Sequence, residues 1–187
     1  MEIADGIPTF KQVNRESIQE AISKGADFLS LTAYVKPEAT VERILSDIRL
    51  VRESYQGLLM LNPVISHGMD LSLEALLQYV DAGVDLLVLP SPGSVAGVTE
   101  NQLAEIISAV RKKGALVSCT VGTSQEGTDK ESIQQIALSA KRAGADVFEL
   151  GDAGVSGMPV PTTIFDASIA IRGRRHTFVR MARSANR

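Results

Sequence analysis

Gly83-Val84-Asp85-Leu86-Leu87-Val88-Leu89 is the stretch from which the fold can be read. A glycine can take the left-handed conformation that closes a helix, and the short apolar run after it reads as a strand buried on both faces, as parallel strands are. The same grammar stands at Gly25-Ala26-Asp27 before Phe28-Leu29-Ser30-Leu31-Thr32 and at Gly144-Ala145-Asp146 before Val147-Phe148. Weaker copies are Gly57 before Leu58-Leu59-Met60-Leu61 and Gly114-Ala115 before Leu116-Val117-Ser118-Cys119. The glycines recur about every 30 residues, the length of one strand plus one crossover helix. About five βα units are implied.

Between these strands the apolar residues follow helical spacing. Val41, Ile44, Leu45, Ile48 and Val51 form one stripe, Leu103, Ile106, Ile107 and Val110 a second, and Ile133, Ile136, Ala137 and Ala140 a third. Thr99-Glu100-Asn101-Gln102 and Thr128-Asp129-Lys130-Glu131 fit a capping box, and Thr163-Ile164-Phe165-Asp166 has a similar pattern. An opening helix is expected over Val13 to Lys24. The expectation is one α/β domain over 1–187, a parallel (β/α) repeat of TIM-barrel type forming a partial barrel. An open flavodoxin-like doubly wound sheet is the alternative that periodicity leaves open.

Composition narrows the function. With 44% apolar and 22% charged residues the chain reads as an ordinary globular protein. The single Cys119 forms no internal disulfide, no secretory leader pattern opens the sequence, and no apolar run is long enough to span a membrane, which together point to the cytoplasm. The net charge of −3 conceals an asymmetry, because the basic C-terminal segment 172–187 holds six arginines and no acid. With those six set aside, 13 basic residues stand against 22 acidic ones. The acidic body and the lack of repeated aromatic platforms argue against nucleic acid as a partner, and the arginines are expected to pair with that body or with a neighbouring subunit.

The chemistry should sit in loops after strands. Val147-Phe148-Glu149-Leu150-Gly151-Asp152-Ala153-Gly154-Val155-Ser156-Gly157 reads as a strand entering a glycine turn, and Gly122-Thr123-Ser124-Gln125-Glu126-Gly127 follows the preceding strand. Glycines let backbone amides approach an anion at a helix N-terminus, so Gly122, Thr123, Ser124, Gly151, Gly154 and Gly157 are the expected anion-binding set. The same glycines serve tight turns equally well. Asp152 stands where barrel enzymes place catalytic acids, and helix capping is its competing role. Glu149 lies inside a strand, where a carboxylate needs a polar interior or a partner such as a C-terminal arginine. His67, three residues before Asp70, completes the catalytic candidates. His176 stands among the tail arginines. Ser91 and Ser94 have no base beside them, and Cys119 reads as inert core. No dinucleotide or Walker fingerprint is present, no metal site is expected, and no cofactor follows from the sequence.

Gly122 to Gly127, Gly151-Asp152-Ala153-Gly154, Ser168-Ile169-Ala170-Ile171-Arg172-Gly173-Arg174-Arg175-His176-Thr177-Phe178 and Arg180-Met181-Ala182-Arg183-Ser184 resemble the end of a bacterial TIM-barrel-like family of unknown activity. Its members carry the labels phosphoenolpyruvate phosphonomutase-like or haloacid-dehalogenase-like hydrolase. The resemblance runs from about Val98 to Arg187 and is loose before it. It implies a longer barrel of which this chain forms the last five units. The residues depart from both labels: no Lys-Lys-Cys-Gly loop occurs, and no two aspartates are separated by one residue. The functional expectation is a domain that binds a small phosphorylated or carboxylated metabolite at the carboxyl ends of its strands, with lyase, isomerase or hydrolase chemistry open. The alternative is a non-catalytic module, a partial barrel completed by self-association into a homo-oligomer.

Overall fold

The computed structural model describes residues 12–33, 40–63, 72–122, 125–151 and 159–183. In chain order the elements are α1 (Arg15–Ser23), β1 (Phe28–Thr32), α2 (Val41–Arg52), β2 (Leu58–Asn62), α3 (Leu73–Asp81), β3 (Leu86–Pro90), α4 (Glu100–Lys112), β4 (Leu116–Val121), α5 (Lys130–Ala143), β5 (Val147–Leu150) and α6 (Pro161–Ala182). The five strands form one sheet in the order β1-β2-β3-β4-β5, with β1/β2, β2/β3 and β4/β5 pairing parallel. Right-handed crossovers that always advance in one direction lay every helix on the same face of the sheet. A doubly wound sheet must reverse its strand order to use both faces. The sequential order therefore gives the (β/α) winding of TIM-barrel type and sets aside the flavodoxin-like alternative.

The chain divides into two compact units, Met1–Leu87 with Lys112–Ala115 and Val88–Arg111 with Leu116–Arg187, β3 contributing to both. In the first, α1 packs on α2 and α2 on α3, burying Ile18, Ile44, Ile48, Val51, Leu76 and Tyr79 over Leu59 and Leu61. In the second, Ile133, Ile136 and Ala137 of α5 and Ala167 of α6 form a core with Val121, against which Phe148, Leu150 and Ile171 pack. The stripes read from periodicity at 103–110 and 133–140 are fully buried.

Several boundaries differ from the sequence reading. α1 starts after Asn14, whose side chain accepts from the Ser17 amide at 2.8 Å while the Ser17 hydroxyl accepts from the Asn14 amide at 3.2 Å; this reciprocal cap fixes the start two residues past Val13. Asp129, not Thr128, caps α5, accepting from the Ser132 amide at 2.8 Å. Thr163 lies inside α6, which begins at Pro161, a residue that suits a first turn because it lacks an amide hydrogen. Gly57 is the one repeat glycine without a positive φ. Burial on both faces holds along all of β3 and in the middle of β4, at Val117, Ser118 and Cys119; β1 alternates between exposed and half-buried residues, and in β2 only Leu59 and Leu61 are fully buried.

The aspartates of the repeat have a role that local grammar does not reveal. Asp85 accepts the Leu59 amide of the preceding strand at 2.8 Å and pairs with Arg52 at the end of α2 at 2.5 Å. Asp146 repeats the arrangement, accepting the Val117 amide at 3.0 Å and Arg111 Nε at 3.1 Å. Burial raises the Asp146 pKa, but the Arg111 guanidinium and the Val117 amide outweigh it and hold the carboxyl below its ordinary value. Each aspartate thus ties the amino ends of two neighbouring strands to the end of the helix that precedes the first of them. Asp27, exposed before β1, makes no such bond among the described residues.

Candidate functional site

Because successive side chains of a strand point to opposite faces, the residues on the face away from the helices can be followed along each strand. In the first unit they run Phe28, Ser30, Thr32 on β1 and Leu58, Met60, Asn62 on β2. In the second they run Leu116, Ser118, Thr120 on β4 and Val147, Glu149 on β5. Each of these strands begins apolar, and all four gain polar groups toward the carboxyl end. The first residues are open to solvent, Phe28 at 49% and Val147 at 43%. In the first unit the carboxyl half of this face carries a hydroxyl and an amide, and in the second it carries hydroxyls and a carboxylate.

Glu149 sits in register with Thr120, and the Ser118 hydroxyl donates a long bond to its Oε2 at 3.5 Å. Burial pushes its pKa up, with the Ser118 bond opposing more weakly, so this carboxyl is readier to hold a proton than an exposed one. Among the described residues no arginine pairs with Glu149. α6 packs on the opposite face, over Phe148 and Leu150, so its arginines do not reach the face that carries Glu149.

Gly122 and Gly151 end β4 and β5, and the two differ in what they permit. A methyl group at Gly151 would stand 2.8 Å from the Val121 carbonyl oxygen and 3.1 Å from the Gly122 Cα, so the strand ends approach each other only because residue 151 has no side chain. At Gly122 a methyl group would meet only Thr120 Oγ1 at 3.8 Å. Packing demands glycine at 151 and not at 122. The same hypothetical methyl at 151 would lie 3.6 Å from the carboxyl carbon of Glu126, which stands in a short 3-10 turn, Gln125–Gly127.

Glu126 is 3% exposed and its Oε2 has no hydrogen-bond partner. The hydroxyl of Ser91, directly after β3 and 0% exposed, is the other buried side-chain oxygen without a partner among the described residues. The Ser91 amide donates to the Thr120 carbonyl at 2.8 Å, placing it beside the end of β4. Glu126 stood inside a loop singled out in the sequence, yet no local signal marks an orphaned oxygen. Of the other expected site residues, Asp152, His67, Thr123, Ser124, Gly154 and Gly157 lie outside the described residues, as does Asp70.

The remaining expectations fall at a distance from this end of the sheet. Cys119 is fully buried and burial pushes its thiol up to about 12, as inert core requires. α6 bends at Gly173, whose φ is 76°. Past the bend Thr177 meets Ser168 at 3.0 Å, and Phe178 meets Phe165 edge-on at 5.8 Å. Arg172, Arg174, Arg175, Arg180 and Arg183 make no ion pair among the described residues. His176 is exposed, its Nδ1 at 3.2 Å from the Arg172 carbonyl. No described helix is long and apolar enough to cross a membrane.

No curated protein matches the chain in sequence. Among solved structures, oxaloacetate acetylhydrolase in complex with 3,3-difluorooxalacetate superposes with a TM-score of 0.59 and 14% identity, over 83% of this chain and 60% of that one. A 2,3-dimethylmalate lyase described as a PEP mutase/isocitrate lyase superfamily member gives 0.58 and 18% identity over 84% and 60%. The aldolase QR15 gives 0.51 and 12% over 77% and 74%. At these identities the likeness is one of fold, and the chain spans about 60% of the length of the first two. The family model of a domain of unknown function, DUF7916, matches residues 1–187, and the chain belongs to that family.

Proposed function

We propose that this domain binds a small carboxylated or phosphorylated metabolite at the carboxyl ends of its strands, with Glu149 as the proton-transfer group. The observation that carries this reading is the change from apolar to polar side chains along the helix-free face of the second unit, ending in Thr120 and Glu149. A barrel scaffold uses that end for ligands and the other for stability. A carboxyl whose proton is held by burial can donate to, or after ionisation accept from, a ligand placed beside it. Two solved structures with this fold are named for oxaloacetate and 2,3-dimethylmalate chemistry, which favours carboxylates over phosphates as first probes. Asp152 and His67 are proposed to assist, and Gly122, Thr123, Ser124, Gly151, Gly154 and Gly157 to hold the anion.

Thermal-shift titrations with succinate, phosphoenolpyruvate and sugar phosphates test the binding, since a ligand of the native state raises the melting temperature by mass action. Glu149→Ala and Asp152→Ala should each weaken the response or any turnover found. If both variants respond as the wild type does, the site is elsewhere.

A second reading has its own support. Phe28, Leu58, Leu116 and Val147, between 43% and 49% exposed, leave apolar surface at the strand starts, and a homo-oligomer would cover it. Sedimentation over a concentration series tests this, and a monomer at tens of micromolar rules it out.

A further inference from the structure

We propose that Glu126 is the acceptor for a hydrogen-bond donor group of the ligand, a hydroxyl or an ammonium, so that the site takes acids that also carry such a donor. The inference rests on the ligand site proposed above and adds to it a contact for which no residue has been assigned.

Proteins seldom leave a buried oxygen without a partner. Among the described residues two side chains do, Glu126 and Ser91, and both stand at the carboxyl ends of neighbouring strands, β4 and β3. Neither oxygen lies at the amino ends, where Asp85 and Asp146 each accept a strand amide and an arginine. Orphans gathered at the ligand end are groups held for a ligand rather than faults of packing.

The Glu126 carboxyl lies against the floor formed by Gly122 and Gly151, its carboxyl carbon 3.6 Å from where a side chain at 151 would begin. A carboxyl oxygen in that place makes a poor neighbour for phosphate or carboxylate and a good one for a donor. The donor end of the ligand is therefore directed toward Glu126, and its anionic end toward the glycine loops and away from that carboxyl.

Succinate, malate and aspartate share a four-carbon diacid frame and differ in carrying hydrogen, hydroxyl or ammonium at one carbon. For the wild type, malate or aspartate should bind at least about tenfold more tightly than succinate by calorimetry, and the two arms tell hydroxyl from ammonium. Glu126→Gln should lose preference for ammonium, and Glu126→Met, which has similar reach and no carboxylate, should lose both preferences while still binding succinate. Without ligand, Glu126→Met should melt at or above the wild-type temperature, because it removes an unpartnered buried acceptor, and Glu126→Gln, which keeps the shape and one acceptor, should melt close to it. A fall of more than about 4 °C in both would show that the carboxyl makes a structural bond and would overturn the inference. Succinate binding as tightly as the other two would overturn it while leaving the ligand site standing; no response to any of the three, or to the phosphates, would remove both.

Discussion

Replacing Asp146 by alanine should destabilise the protein by about 2–3 kcal/mol, and most of that loss should come from one backbone amide. Asp146 Oδ2 accepts the amide of Val117, a residue 0% exposed, at 3.0 Å. Leaving such a donor unpaired costs about 1–3 kcal/mol. The ion pair with Arg111 adds less, because the Arg111 side chain is 47% exposed and pairs open to solvent contribute about 0.2–1 kcal/mol. For a chain of this size the sum lowers the melting temperature by about 4–12 °C. Arg111→Ala removes only the ion pair and should cost no more than about 1 kcal/mol. Asp27→Ala, at the equivalent place before β1 but without a bonded amide, should change stability by less than about 0.5 kcal/mol. Urea unfolding at pH 7 ranks the three. The pH dependence supplies a further check. The folded Asp146 carboxyl is held below its ordinary value, so its contribution is present above the unfolded pKa of about 3.9 and is lost as the pH falls through the folded one. Asp146→Ala should accordingly show less acid destabilisation than the wild type. Equal losses for Asp146→Ala and Arg111→Ala would refute the assignment of the stability to the amide.

Gly151→Ala should cost about 1–3 kcal/mol, since its methyl would press on the Val121 carbonyl at 2.8 Å; Gly122→Ala should leave the melting temperature unchanged, so any ligand response it loses reports on the site. Glu149→Gln should raise the melting temperature at pH 7 by a few degrees at most. Burial lifts the folded pKa of Glu149, so the stability this residue lends is present below the unfolded value and lost as pH rises through the folded one; the neutral amide escapes that loss, and a variant less stable than wild type at pH 7 would contradict the assignment. Cys119, with its thiol pushed up to about 12 in a fully buried site, should resist alkylation under native conditions and react once urea unfolds the chain, as thiol titration will show.

The repeat was legible because its signals are local. A glycine stop, an apolar run and a helical stripe each lie within about a dozen residues, and together they set the strand count, whereas the winding stayed open until the strand order was seen. What escaped was set by partners far along the chain. Asp85 looks like part of a helix stop until its acceptor role toward Leu59, 26 residues earlier, is seen. Phe28 and Leu58 read as buried because an apolar run does not say whether both faces of its strand are covered. Glu149 reads in the sequence as a carboxylate needing a polar setting or an arginine, whereas among the described residues it accepts a bond from a serine on the neighbouring strand, the arginines of α6 lying on the helix side.

These differences share a cause in how a parallel strand divides its length. At its amino end the chain has just left a helix, and a glycine followed by an aspartate can turn back onto the previous strand and close every bond there, as Asp85 and Asp146 do. At its carboxyl end the chain leaves for a loop, and the last side chains have no such element to bond. Polar groups at that end must find a partner across the sheet, as Glu149 does in Ser118, or remain open, as Glu126 and Ser91 do. Satisfying those oxygens within the chain would add stability and fill the place where a ligand has to bind. Within the second unit, the bonded carboxylate of Asp146 thus stands before a strand and the open oxygens of Glu126 and Ser91 stand after strands. That separation makes the Asp146 and Glu126 variants informative together: the first should change stability without touching ligand preference, and the second should change preference without loss of stability.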